Sequence, residues 1–138
     1  MLSLVVHPAF VHFPLAMFTS AWVCYLLAHG WDRDDWSDRG WLFERVGVWS
    51  LPVTVVAGFV DANGLKVFTD ARFDLPLIWH ALLSLAATAV YAVHWGWRRG
   101  RSFEEVRAAA ATDIWLSTAG TWLLFASGLV AGEMVFGT

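Results

Sequence analysis

Residues 75–97 read LPLIWHALLSLAATAVYAVHWGW, an apolar stretch without a single Asp, Glu, Lys or Arg. A helix that crosses a bilayer needs about 20 mostly apolar residues, and this stretch is long enough. Three further segments are also long and apolar, and they cover 8–29, 46–63 and 113–136. The sequence therefore predicts four transmembrane helices, numbered here as spans one to four in chain order.

The composition of the whole chain also points to a membrane protein. Of its 138 residues, 58% are hydrophobic and 15% are charged, whereas soluble domains carry about 25% charged residues. The connections between the spans are too short to fold independently, and no basic patch with interleaved aromatic residues points to nucleic acid. We therefore expect a single all-α domain over residues 1–138, an integral membrane four-helix bundle with up-down-up-down topology.

Positive charges predict the orientation of this bundle. Seven of the nine Lys and Arg residues lie in the connections 30–45 and 98–112, and two lie in 64–74. Because cytoplasmic loops carry the excess of positive charge, the first and third connections are predicted to be cytoplasmic. Both termini then face the periplasm of a bacterial inner membrane. A short surface helix is also expected in the third connection, where Ser102 and Glu105 have the spacing of a capping box.

Histidines are the notable residues of the spans, because ionisable side chains are costly inside a bilayer. His80 and His94 on span three are separated by about 21 Å along the axis and about 40° around it. His12 and His29 on span one are separated by about 25 Å. Under the predicted topology His12 matches His80 in depth, and His29 matches His94. Each pair is therefore a candidate for axial ligation of one haem b, with one haem at the outer pair and a second at the inner pair as the further option.

The string HPAFVHFP at residues 7–14 is similar to the opening motif of a bacterial membrane family called domain of unknown function 2231. Other matching features are Asp61 at the end of span two, His80 at the start of span three and the block GEMVFG at 132–137. Some members of that family are fused to Rieske-type iron–sulfur domains. The resemblance therefore implies a membrane topology and an association with respiratory redox proteins, and it assigns no chemistry.

Polar side chains collect at the predicted outer face, and their role has several interpretations. The set consists of His7, His12, Asp61, His80 and Glu133. His12 and His80 are expected to bind haem iron, with the other three as hydrogen-bonding partners or alternative ligands. The same set suits zinc, copper or iron, or a hydrogen-bonded network that holds helix ends together. For the inner pair, the alternative is that histidine is common in the last turn of a helix.

Three functions agree with these observations. The first is a b-type cytochrome that transfers electrons in a bacterial redox chain, with other membrane redox subunits and a quinone as its expected partners. The second is a cofactor-free accessory subunit of a larger membrane complex, and the third is a metal-binding membrane protein. No nucleophile setting, P-loop or dinucleotide fingerprint occurs. An electron carrier or accessory subunit is therefore expected rather than a catalytic enzyme, with lipid as a partner and no nucleic acid.

Overall fold

The structure is a computed structural model that describes residues 7–64 and 75–136, with side chains over 10–61 and 75–134. All regular secondary structure in these ranges is helical, and four of the helices are long and apolar enough to cross a membrane. The prediction of an all-α protein with four spans is confirmed. The helices are α1 (His7–Trp31), α2 (Asp34–Gly64), α3 (Leu75–Arg98), α4 (Phe103–Ala108) and α5 (Ala110–Phe136).

Burial in this fold is inverted relative to a soluble protein. Trp49, Trp115 and Leu129 are between 72% and 74% exposed, whereas Glu44 and Asp113 are completely buried. An apolar outer surface with polar groups turned inward is the arrangement that a hydrocarbon solvent favours. The chain is therefore a multi-pass membrane protein.

Two antiparallel helix pairs, α1 with α2 and α3 with α5, form the bundle, and α1 also packs against α5. Glycines allow aromatic side chains to enter between the helices. A Cβ atom at Gly40 would lie 2.5 Å from Cε1 of Tyr25, and one at Gly120 would lie 2.7 Å from Cε2 of Tyr91. The rings of Phe18 and Tyr91 stack with centroids 3.9 Å apart. Aromatic rings from α1 and α3 thus fill the centre of the bundle.

Helix α2 begins much earlier than the sequence predicts. The expected connection over 30–45 is wrong, because only Asp32 and Arg33 separate α1 from α2. The first turn of α2 contains Asp34 and Asp35. Carboxylates at this position interact favourably with the positive end of the helix dipole, so charge helps the helix to begin here.

One face of this unexpected helical segment packs on α1. Ser37, Gly40, Glu44 and Gly47 recur every three or four residues and all are buried. That spacing places them along one side of a helix. Small residues let the two backbones approach, and the charged residues between them turn outward. The charged residues of this segment suggest a loop, whereas the three- and four-residue spacing of its buried residues indicates a helix.

Helix α4 lies in the third connection, where the sequence predicts a short surface helix. The hydroxyl of Ser102 accepts a hydrogen bond from the Glu105 backbone N–H at 3.3 Å, and the Glu105 carboxylate accepts one from the Ser102 N–H at 2.8 Å. This confirms the capping box. The backbone and side-chain hydrogen bonds from Ser102 lower the pKa of Glu105 below its ordinary 4.5. The charged Glu105 carboxylate therefore contributes fully to the stability of α4 above about pH 4.5, and this contribution is lost as the pH falls through the lowered pKa.

The predicted boundaries of the other spans need small corrections. Helix α1 runs from His7 to Trp31 where 8–29 was expected, and α3 extends one residue beyond 97. Helix α5 begins at Ala110 rather than 113, because α4 leads into it after one turn residue. The connection predicted over 64–74 lies outside the described residues from 65 onward.

The two short connections and α4 lie at the same end of the bundle, which we call the arginine-rich end. It carries Arg33, Arg98, Arg99, Arg101 and Arg107. Its placement on the cytoplasmic side, and of both termini on the other side, stays a prediction from the count of positive charges.

Candidate functional site

Five ionisable side chains meet inside the bundle at the arginine-rich end, and we call them the ionic cluster. All four membrane-crossing helices contribute to it. Glu44, His94 and Asp113 are 0% exposed and Arg98 is 6% exposed, while the side chain of His29 is 7% exposed. Buried charges occur in proteins when they are paired and hydrogen-bonded. The contacts within this cluster therefore decide what it can do. Its members are His29 of α1, Glu44 of α2, His94 and Arg98 of α3, and Asp113 of α5.

Asp113 is the centre of the ionic cluster. Its Oδ2 accepts a hydrogen bond from Nε2 of His29 at 2.8 Å. Its Oδ1 lies 2.9 Å from Nε2 of His94 and 2.5 Å from Nη1 of Arg98. Asp113 also occupies the first turn of α5, where the helix dipole favours a negative charge. One carboxylate thus joins α1, α3 and α5.

Glu44 joins α2 to the same network. Its Oε2 accepts a hydrogen bond from the Tyr25 hydroxyl at 2.6 Å, and its Oε1 and Oε2 lie 3.1 Å and 3.0 Å from Nδ1 of His94. The ring of Tyr25 also meets the ring of His94 edge-on, with centroids 5.5 Å apart. Both carboxylate oxygens of Glu44 therefore have hydrogen-bond partners on α1 or α3.

Arg98 supplies the permanent positive charge of the ionic cluster. Besides its contact with Asp113, its Nη2 donates to the backbone oxygen of Ser37 at 3.3 Å and to the Ser37 hydroxyl. Its guanidinium carbon lies 4.2 Å from the centroid of the Tyr25 ring and 5.9 Å from that of Trp41. Aromatic faces attract a cation, so both rings support the buried charge.

His94 has both ring nitrogens turned toward carboxylates. Nδ1 faces Glu44 and Nε2 faces Asp113. A neutral imidazole carries a proton on one nitrogen only, whereas an imidazolium donates from both. The geometry of this ring is therefore best satisfied when His94 is protonated.

His29 differs from His94 because one of its ring nitrogens has no partner. Nε2 is bound to Asp113, and within the described residues Nδ1 is buried without a hydrogen bond. The ring of Phe103, the first residue of α4, lies over the imidazole with centroids 6.5 Å apart. Arg107 of α4 in turn makes two hydrogen bonds to the Asp32 carboxylate, at 2.6 Å and 2.7 Å. The far end of α4 is thus fixed to the turn between α1 and α2.

The structure brings together the predicted inner pair in an unforeseen way. His29 and His94 are linked through the two oxygens of Asp113. Iron could reach a nitrogen of His94 only if a bond to Glu44 or Asp113 were broken. The prediction of a second haem at this pair therefore stays a prediction that requires rearrangement.

The predicted outer pair lies in the other half of the bundle. Nδ1 of His80 is 2.9 Å from the Ser127 hydroxyl and 3.1 Å from the Ser127 backbone oxygen. The contact of Trp22 with Thr118 sets the register between α1 and α5. Continued along the helices, it places His12 opposite the turn of α5 that contains Ser127. This register agrees with a similar depth for His12 and His80, and their joint binding of a haem stays a prediction.

The other predicted outer residues are at least partly exposed or lie beyond the described side chains. Glu133 is exposed and Asp61 is partly exposed, while the side chain of His7 lies outside the described part. Among the described residues, no group of three or more His, Cys, Asp or Glu side chains, the ionic cluster included, is arranged so that it could hold a metal ion. The described side chains therefore give no support to the metal-binding alternative.

Three members of the ionic cluster, Glu44, Arg98 and Asp113, were missed as site residues. Glu44 and Arg98 fall within the predicted connections 30–45 and 98–112, and Asp113 is the first residue of predicted span four. The spacing of Glu44 from Ser37, Gly40 and Gly47 is the signal that could have found it, because it places a carboxylate on a face of small residues. For Asp113, the sequence offers only its place among apolar residues at the start of span four.

Comparison with known proteins gives a family and no activity. The family described as a predicted membrane protein, DUF2231, matches residues 3–138. No curated protein and no solved structure matches the chain.

Proposed function

The chain belongs to the DUF2231 family of predicted membrane proteins, and on that premise we propose that it is a proton-binding membrane protein. The ionic cluster holds one dissociable proton, shared by hydrogen bonds among His29, Asp113 and His94. The observation that carries the proposal is the position of His94 between two buried carboxylates, one at each ring nitrogen. Chains of histidine and carboxylate side chains inside membranes commonly serve as proton relays.

The charge of the cluster is the first argument. Glu44 and Asp113 together contribute two negative charges, and Arg98 contributes one positive charge. With both imidazoles neutral, one negative charge would stay uncompensated in a region where three of the five side chains are 0% exposed. An unpaired buried charge is strongly destabilising. A single proton on the histidines makes the cluster neutral, so the fold itself favours its uptake.

The groups around His94 are the second argument. The ring faces Tyr25 on α1, Glu44 on α2 and Asp113 on α5, and Arg98 lies one turn further along α3. The one cation among these neighbours already has its own partners in Asp113 and Ser37. The second carboxylate, Glu44, is therefore left to be neutralised by a proton.

The hydrogen-bonded path is the third argument. From Glu44 the contacts continue through His94 and Asp113 to His29, and the distances along this path lie between 2.8 Å and 3.1 Å. Each group on it can accept a proton or release one. The path leads from a completely buried ring toward the arginine-rich end, the side predicted to be cytoplasmic.

A difference titration tests the proposal. Purified wild type and Glu44→Gln are titrated in the same detergent without buffer. Between about pH 6 and pH 8, the wild type is expected to hold about one proton more, because the variant is already neutral with both imidazoles uncharged. Glu104→Gln removes a carboxylate that is 80% exposed and serves as the matched control. Equal curves for Glu44→Gln and Glu104→Gln would show that the cluster holds no extra proton.

A b-type cytochrome is the second candidate, and the contact between His80 and Ser127 favours it. A hydrogen bond at Nδ1 orients a histidine that uses Nε2 as a metal ligand. In this candidate His12 and His80 ligate one haem b, and the expected partners are membrane redox subunits and a quinone. Protein purified from haem-supplied cells is then expected to show a Soret band that is lost in His80→Ala. A wild-type spectrum without that band contradicts this candidate.

A further inference from the structure

Within the described side chains, Nδ1 of His29 is the one buried nitrogen or oxygen that lacks a hydrogen-bond partner. Such atoms are rare in folded proteins, because an unpaired buried polar group carries its full desolvation cost. The side chain is 7% exposed, so it does not reach bulk solvent freely. An unpartnered nitrogen on a cluster that exchanges protons calls for a functional explanation.

The bond at the other nitrogen fixes the chemistry of Nδ1. The N–H group at Nε2 of His29 donates a hydrogen bond to Asp113, because a carboxylate can only accept one. In the neutral ring, Nδ1 is then the bare nitrogen with an available lone pair. It is therefore the atom of the ionic cluster that is ready to receive a proton from outside.

We propose that Nδ1 of His29 is the port through which the ionic cluster exchanges its proton with water, and that the Phe103 ring covers this port. A hydronium ion gives a proton to Nδ1 and leaves as water. The N–H bond at Nε2 of the same ring can then break toward Oδ2 of Asp113, which passes the positive charge on to the cluster. This inference rests on the proposed proton-binding function.

The surroundings of His29 suit a covered port. Phe103 opens α4, a helix of six residues held by its capping box at one end and by Arg107 with Asp32 at the other. These are local contacts at the surface, and local openings of short elements are the least costly motions of a fold. A displacement of α4 that uncovers His29 would also expose Val106, which is 1% exposed, so the open state has a cost.

A second route to the cluster exists and must be separated from the port. Ser37, Asp38, Trp41 and Arg98 line a cavity of about 70 Å³ at the arginine-rich end, and Phe103 also borders it. A cavity of this size can hold a few water molecules. It reaches Arg98, which does not release its proton in proteins, rather than a histidine. We therefore assign proton exchange to His29, and the experiment distinguishes the two routes.

The test measures how fast the ring N–H protons exchange with water, by NMR on histidine-labelled protein in lipid nanodiscs. Phe103→Ala is expected to accelerate exchange at His29 and at His94 by roughly tenfold, because opening of the cover no longer limits it. Phe125→Ala makes the same change on α5, far from His29, and is expected to leave both rates unchanged. Arg107→Gln keeps the ring and loosens α4, so a smaller acceleration is expected.

The double variant Phe103→Ala with His29→Gln decides between the routes. If His29 is the port, the acceleration at His94 disappears in the double variant. If it persists, water reaches His94 through the cavity and the proposal is wrong. Unchanged exchange in both Phe103→Ala and Arg107→Gln also overturns it. These rates are independent of the proton count from the difference titration, so failure of the port and failure of the proton-binding function give different results.

Discussion

Asp113→Ala is expected to lower the free energy of unfolding by about 3–5 kcal/mol, the usual cost of removing one partner from a buried ion pair. The substitution leaves the Arg98 guanidinium without its carboxylate, and it removes the acceptor shared by His29 and His94. No other described carboxylate is placed to replace it at all three contacts. Thermal or denaturant unfolding in one detergent, followed by circular dichroism, measures the loss.

Asp38→Ala is the control for that experiment. Asp38 lies on α2 at the same end of the bundle, but it is exposed. Its removal is expected to change stability by no more than about 0.5 kcal/mol. Asp113→Asn adds a second comparison, because it keeps the shape and one acceptor oxygen while removing the charge. If Asp113→Ala unfolds like Asp38→Ala, the ionic cluster does not stabilise the fold.

His94→Phe is expected to destabilise the protein by a similar amount, about 3–5 kcal/mol. A phenyl ring fills most of the space but donates no hydrogen bond. Glu44 then remains buried without its histidine partner, because the remaining histidine of the cluster, His29, contacts Asp113 and not Glu44. Unfolding in the same detergent gives the size of the effect.

Adding Glu44→Gln to His94→Phe tests whether charge is the reason. The double variant retains one carboxylate and one guanidinium, so its cluster is neutral without a proton. It is expected to be about 1–3 kcal/mol more stable than His94→Phe alone, a non-additive effect typical of side chains in direct contact. If Glu44→Gln instead adds its own destabilisation to that of His94→Phe, the charge argument fails.

Much of the fold follows from the sequence because hydropathy is a local property. Four apolar stretches give four membrane-crossing helices, and the spacing of Ser102 and Glu105 gives the cap of α4. The segment 34–45 was missed because its charged residues suggest a loop, while its helical structure depends on packing against α1. There, Gly40 accommodates the ring of Tyr25, a contact that no single segment reveals.

The candidate site is harder to predict because it joins residues from four helices. The similar depth of His29 and His94 can be inferred from the sequence because helical rise is regular, and both contact Asp113. The partners of those histidines could not be inferred, because in the sequence Glu44, Arg98 and Asp113 look like ordinary charges beside the apolar stretches. Their burial results from how the helices pair, with α1 against α2 and α3 against α5. In this bundle, such pairing brings side chains from all four membrane-crossing helices within hydrogen-bonding distance.

The central claim is that the ionic cluster carries a proton on its histidines, and nitrogen-15 NMR of histidine-labelled protein tests it most directly. The spectrum is recorded in lipid nanodiscs at about pH 8, where an ordinary histidine is neutral. His94, assigned by its absence in His94→Phe, is expected to show protons on both ring nitrogens. A His94 ring with one protonated and one bare nitrogen, and a His29 ring in the same state, would contradict the account.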